Sequence, residues 1–165
     1  MRACSVWACV SMALLAILWS GPVESDERSD AALRFVEAIG ISGNYEPALL
    51  ANYLQTTSVQ IILSLCGADK GKTIVMESIT AVVDRQQDGW NRRVAALFSD
   101  RFAPEEMESI ATLQKQSPYL DKFAEVFRSD IQPAMAKLNG EIVSSAYLDV
   151  IEPAMERSRR ECPSQ

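Results

Sequence analysis

Apolar residues recur at steps of three and four along almost the whole chain after residue 30, and no six-residue stretch alternates cleanly between apolar and polar. That spacing predicts helices joined by turns. A short first helix, capped by Ser29 or Asp30 and carrying Leu33, Val36 and Ile39, stops at Gly40. Pro47 opens a second, whose face of Leu50, Leu54, Ile61 and Leu65 runs to near Cys66. Between Thr73 and Arg101, the residues Ile79, Val83, Gln86, Trp90, Val94 and Leu97 stay in phase through Asp88-Gly89. One long helix, or two nearly collinear ones, is expected there, with a break at Gly89 as the alternative. Pro104, with Glu105 and Glu106 behind it, starts a helix bearing Met107, Ile110 and Leu113 that ends at Ser117-Pro118. From Tyr119 the apolar series is Leu120, Phe123, Phe127, Ile131, Met135 and Leu138; Asn139-Gly140 reads as a stop, and Ile142 begins the last helix. The phrases DIQPAMAK and VIEPAMER place Pro133 and Pro153 where a helix would run on, so each is expected to kink a helix or begin a turn. The fold class that follows is all-α: a single-domain bundle of about five to six helices with one long central helix and proline-kinked C-terminal helices.

The first 25 residues read differently. Arg2 is the only charge before Glu24, and Val6 to Trp19 is apolar but short for a membrane span, which fits a signal peptide over residues 1–25 cleaved after Ser25. An uncleaved amino-terminal anchor is the competing reading. Residues 26–165 then form the helical domain, in a periplasmic or secreted location. Export would remove Cys4 and Cys9 and leave Cys66 and Cys162, in a compartment where disulfides persist. A bond between them closes a loop of about a hundred residues, worth at most about 4–5 kcal/mol in the chain-entropy model. Two unrelated thiols are the alternative.

Composition narrows the chemistry. Of 165 residues 48% are hydrophobic, and 22 acidic against 16 basic residues give a net charge of -6, which disfavours nucleic acid and anionic lipid as partners. There is no histidine, so histidine-based triads and zinc-hydrolase sites are excluded. No cofactor, catalytic residue or metal site is expected. The stretch SLCGADKGKT, Ser64 to Thr73, approaches a phosphate loop but has three residues, not four, between Gly67 and the Gly71-Lys72 pair. The preferred reading is a helix ending at Gly67, a turn completed by Gly71 and a new helix from Lys72-Thr73, with no nucleotide bound. Asp84 and Asp88 stand four apart and Glu105, Glu106 and Glu108 cluster, but interleaved Arg85 and Arg92 and helix-start electrostatics make a solvated, salt-linked face the simpler account. Trp90, Phe98, Phe102, Tyr119, Phe123, Phe127 and Tyr147 are core candidates first and a candidate inter-helix groove second.

The segment ALFSDRFAPEEMESIATLQKQSP resembles the bacterial exported family known as domain of unknown function 2059. The matching positions are Phe102, Ala103, Glu105, Glu106, Met107, Ile110, Ser117 and Pro118, within a similar region of about residues 74–138. Leu113 and Leu120-Asp121-Lys122 depart from the family pattern. The resemblance implies a helical exported protein and brings no catalytic residues. The expectation is a non-catalytic binding protein of the bacterial envelope, whose partner is an envelope protein or a small apolar ligand. The alternatives are a structural homo-oligomer and a histidine-free hydrolase using carboxylates.

Overall fold

A computed structural model describes residues 23–162, with side chains from residue 27 onward. The signal-peptide reading therefore falls almost wholly outside the described residues. Every regular element among them is helical. Helix α1 spans Val23–Ala38, a 3-10 turn covers Ile41–Asn44, and α2 (Tyr45–Tyr53), α3 (Thr57–Cys66) and α4 (Ala68–Ser99) follow. Then come α5 (Pro104–Leu113), α6 (Leu120–Val126), a π-helical turn at Phe127–Ile131 and α7 (Gln132–Glu161). The all-α bundle with a long central helix is the architecture observed.

Helix α4 is the axis. Its 32 residues extend about 48 Å at the rise of an α-helix, and it packs against α1, α2, α3 and α7. The expected face is on the inside: Ile79, Trp90 and Val94 are buried and Val83 and Leu97 half-buried, while Ile74, Val75, Val82 and Phe98 widen the stripe because neighbours lie on several sides. The helix runs through Gly89 unbroken, and the glycine is exposed with open space where a Cβ would stand. Helices α4 and α7 are antiparallel along their whole length. Lys70, Glu77, Gln86 and Arg93 of α4 reach Glu161, Arg157, Asp149 and Glu141 of α7 in that order, so partners descend along one helix as they ascend along the other, and Arg101 reaches Asp130 just beyond the helix ends.

Several expectations are corrected. Helix α1 starts upstream of the anticipated Ser29 or Asp30 cap, since Pro22 is the nearest helix breaker before them in the sequence. The anticipated second helix is two. The 3-10 turn plus α2 and the following α3 meet at 79°, because Thr56 Oγ1 donates to the Tyr53 carbonyl at 2.8 Å and accepts from the Val59 amide at 3.4 Å, capping α3 afresh. Burial then falls on Leu49, Tyr53, Val59 and Ile62, while Ile61 and Leu65, expected on the inner face, are each 44% exposed. Asn139-Gly140 stops nothing. Helix α7 passes through it because Leu138 and Ile142 are buried on either side and the Asn139 Oδ1 accepts the Trp90 indole N–H at 3.4 Å. Pro133 lies in the first turn of α7, directly after the π turn, whereas Pro153 lies in its interior, so the two similar phrases occupy different settings.

Helix α5 begins as expected, with Pro104 in the first turn and the Glu106 carboxylate accepting the Ala103 amide at 3.0 Å. Around α1, α4 and α6 the core is aromatic: Phe35 meets Phe98 edge-on at 5.2 Å, and Phe123 lies 6.0 Å from Phe102 and 5.6 Å from Phe127.

Candidate functional site

The phosphate-loop lookalike is a helix corner. Gly67 alone separates α3 from α4, at φ 78 and ψ 161, a backbone state that favours glycine. Gly71 does not complete a turn, as the spacing suggested; it sits in the first turns of α4, where a Cβ would lie 2.9 Å from the Leu63 Cα and 3.1 Å from the Ile62 carbonyl. It is the close-contact point of the α3–α4 crossing. Lys70 is engaged too, its Nζ donating to the Glu161 carbonyl at 2.8 Å. Beside it Cys66 and Cys162 form a disulfide with Cα atoms 5.1 Å apart and a sequence separation of 96. The carboxyl end of α7 is thereby tied to this corner by a covalent bond, a lysine and Arg157, which bridges Glu77 and Glu161. Arg157 draws Glu161 below the usual carboxylate range, helped by Lys70, while Glu161 and Glu77 raise Arg157.

The aromatic groove candidates divide. Trp90, Phe98 and Phe102 are at most 2% exposed and belong to the core, and Tyr119, Phe123, Phe127 and Tyr147 are half-buried around it. The nominated carboxylates do not converge. Asp84, Asp88, Glu105 and Glu108 are exposed, and Glu106 is held by Ala103 and Lys122. Burial opposes ionisation of Glu106, but the Lys122 and Ala103 hydrogen bonds outweigh it and hold the group low. No ion pair joins Asp88 to Arg92; among the described residues the ion pairs of α4 run across to α7, and Arg85 makes none.

A cavity of about 300 Å³ opens between α4 and α7. Helix α4 contributes Glu77, Ser78 and Arg85; α7 contributes Asp149 and Pro153, with Glu156, Arg157 and Arg160 at the end nearer the disulfide. Its inner wall continues into a polar seam. Asp149 Oδ2 accepts from Gln86 Nε2 at 3.3 Å, and Gln86 Oε1 accepts from the buried Tyr45 hydroxyl at 2.9 Å. Tyr53 donates to the Val143 carbonyl at 2.6 Å, and Tyr147 shares a 2.8 Å hydrogen bond with Ser58. Burial, then the neighbours Tyr45, Asp149 and Tyr147, push the Tyr53 phenol up to about 12; burial and Asp149 also raise Tyr45. Sequence reasoning missed this cavity, since its residues belong to no motif. The one local signal was Pro153, which deprives the Asp149 carbonyl of its helical N–H.

Among the described residues no cluster of three acidic or sulfur ligands has metal-binding proximity, and no single helix is long and apolar enough to cross a membrane. No family model, curated protein or solved structure matches this chain.

Proposed function

We propose that this is an exported, non-catalytic interaction protein of the bacterial envelope, located in the periplasm or secreted. The observation that carries the reading is the double-sided character of α3. Val59 and Ile62 bury one stripe against the bundle, while Ile61 and Leu65, one helical turn apart, are each 44% exposed. Two apolar side chains adjacent on the outer face of α3 form a small exposed patch that a partner's apolar surface can cover. The disulfide supports export, because such bonds persist outside the reducing cytosol. The signal-like apolar run of Val6 to Trp19 supports it as well, and the resemblance around Phe102 to Pro118 points to the same setting.

The partner fitting this stripe is an envelope protein with an apolar face, and a second copy of the chain is the alternative. Ile61→Glu with Leu65→Glu should abolish recovery of a defined partner from the native envelope while leaving the helical circular-dichroism spectrum unchanged. Light scattering separates the two occupants: a mass that rises with concentration and falls in the double variant assigns the stripe to self-association. A monodisperse monomer with the same partner recovered by both proteins would reject the stripe as the binding surface.

A further inference from the structure

Along the antiparallel α4–α7 seam, charged side chains meet in direct ion pairs at Lys70–Glu161, Glu77–Arg157 and Arg93–Glu141. The sequence of pairs is interrupted at one place. Arg85 and Asp149 line the same cavity, yet among the described residues Arg85 makes no ion pair, and the only hydrogen-bond partner of the Asp149 carboxylate is Gln86, on one oxygen. Pro153, also in the wall, leaves the Asp149 carbonyl without its helical donor. The cavity therefore presents a free guanidinium on one helix and free acceptors on the other.

We infer that this cavity binds a small zwitterion, a molecule of the amino-acid or short-peptide class, with its carboxylate on Arg85 and its ammonium on Asp149. The chemistry matches at both ends. A guanidinium recognises a carboxylate through paired N–H donors, and an ammonium needs the acceptors that Asp149 supplies. The volume of about 300 Å³ is at the small end of ligand sites, which suits a ligand of this class. A simple anion is less well accommodated, since Glu77, Asp149 and Glu156 offset Arg85, Arg157 and Arg160 around the cavity. This site is separate from the α3 stripe, and neither reading depends on the other.

The test is an amide chemical-shift titration of the disulfide-bonded protein with three probes: glycylglycine, acetate and methylammonium. The expected result is saturable shifts confined to α4 and α7 around Arg85 and Asp149 with glycylglycine, at an affinity about tenfold or more above either half-probe. Arg85→Gln and Asp149→Asn, both at exposed positions, should each weaken glycylglycine by about tenfold. Equal binding of all three probes, absence of saturable shifts with glycylglycine, or affinity unchanged in both variants would overturn the assignment.

Discussion

The bundle is held in two unlike ways at its two sides. Where α1, α4 and α6 meet, Phe35, Phe98, Phe102 and Phe123 form a contiguous aromatic cluster with centroid spacings of 5.2 to 6.5 Å. At the α3–α4 corner and along α7, the fastening is a disulfide, Lys70–Glu161 and the Arg157 bridge, all partly or fully exposed. Burial of apolar rings is insensitive to salt and redox state, whereas the corner depends on both. The aromatic side thus acts as a permanent core, and the corner as a fastening that reduction and salt can loosen.

The largest expected break is at the corner. Cys66→Ser with Cys162→Ser removes a constraint spanning 96 residues, with a loss of up to about 4–5 kcal/mol in the chain-entropy model; urea melts of the oxidised, reduced and double-Ser proteins measure it. Reduced and double-Ser forms should coincide. Phe98→Ala strikes the other side at a fully buried ring, with a loss of about 3–5 kcal/mol that 0.5 M added salt should leave nearly unchanged.

Alkaline pH probes the interior seam. The Tyr53 phenol is raised to about 12 in the folded state, so an unfolded chain with an ordinary tyrosine near 10 releases its proton first. Stability from this group is complete below about pH 10 and falls as pH rises toward 12, by on the order of 2–3 kcal/mol. Tyr53→Phe should flatten that limb in melts taken across the window. At the acid end the sign reverses: Glu161 and Glu106 are lowered in the folded protein, so their contribution is present above the ordinary carboxylate value and disappears as pH falls below it.

Two glycines sharpen the contrast further. Gly71→Ala drives a Cβ to 2.9 Å from the Leu63 backbone and should destabilise by about 1–3 kcal/mol. Gly89→Ala meets open space and should stabilise by up to about 1 kcal/mol. Thermal melts of the two single variants should move in opposite directions. The smallest effect belongs to Arg93–Glu141, each partner about half exposed. Its double-mutant coupling should stay below about 1 kcal/mol and shrink with salt.

These contrasts also mark what the sequence made legible. The α4 stripe, the Pro104 start of α5 and the corner glycine Gly67 follow from spacing and capping, whereas the Cys66–Cys162 bond was one of two readings and rested on setting Cys4 and Cys9 apart with the leading apolar run. The α2–α3 bend was less readable: Thr56 is an ordinary capping residue, but only the burial of Leu49, Tyr53 and Val59 shows that the chain turns there. Asn139-Gly140 misled because a turn-forming pair has no local mark saying that Trp90 and flanking core residues will hold it helical. Gly71 misled for the same reason, its role being set by Leu63 on another helix. The Arg85–Asp149 cavity depends on the register of two antiparallel helices, which no local pattern encodes.

The central functional claim is that α3 presents its outer stripe to a partner. A photo-crosslinking residue at position 61, compared with one at the exposed polar position 108 on α5, tests it most directly in the native envelope. The account predicts a discrete adduct from position 61, lost with Leu65→Glu, and none from position 108. Equal labelling from both positions, or no adduct from position 61, would contradict it.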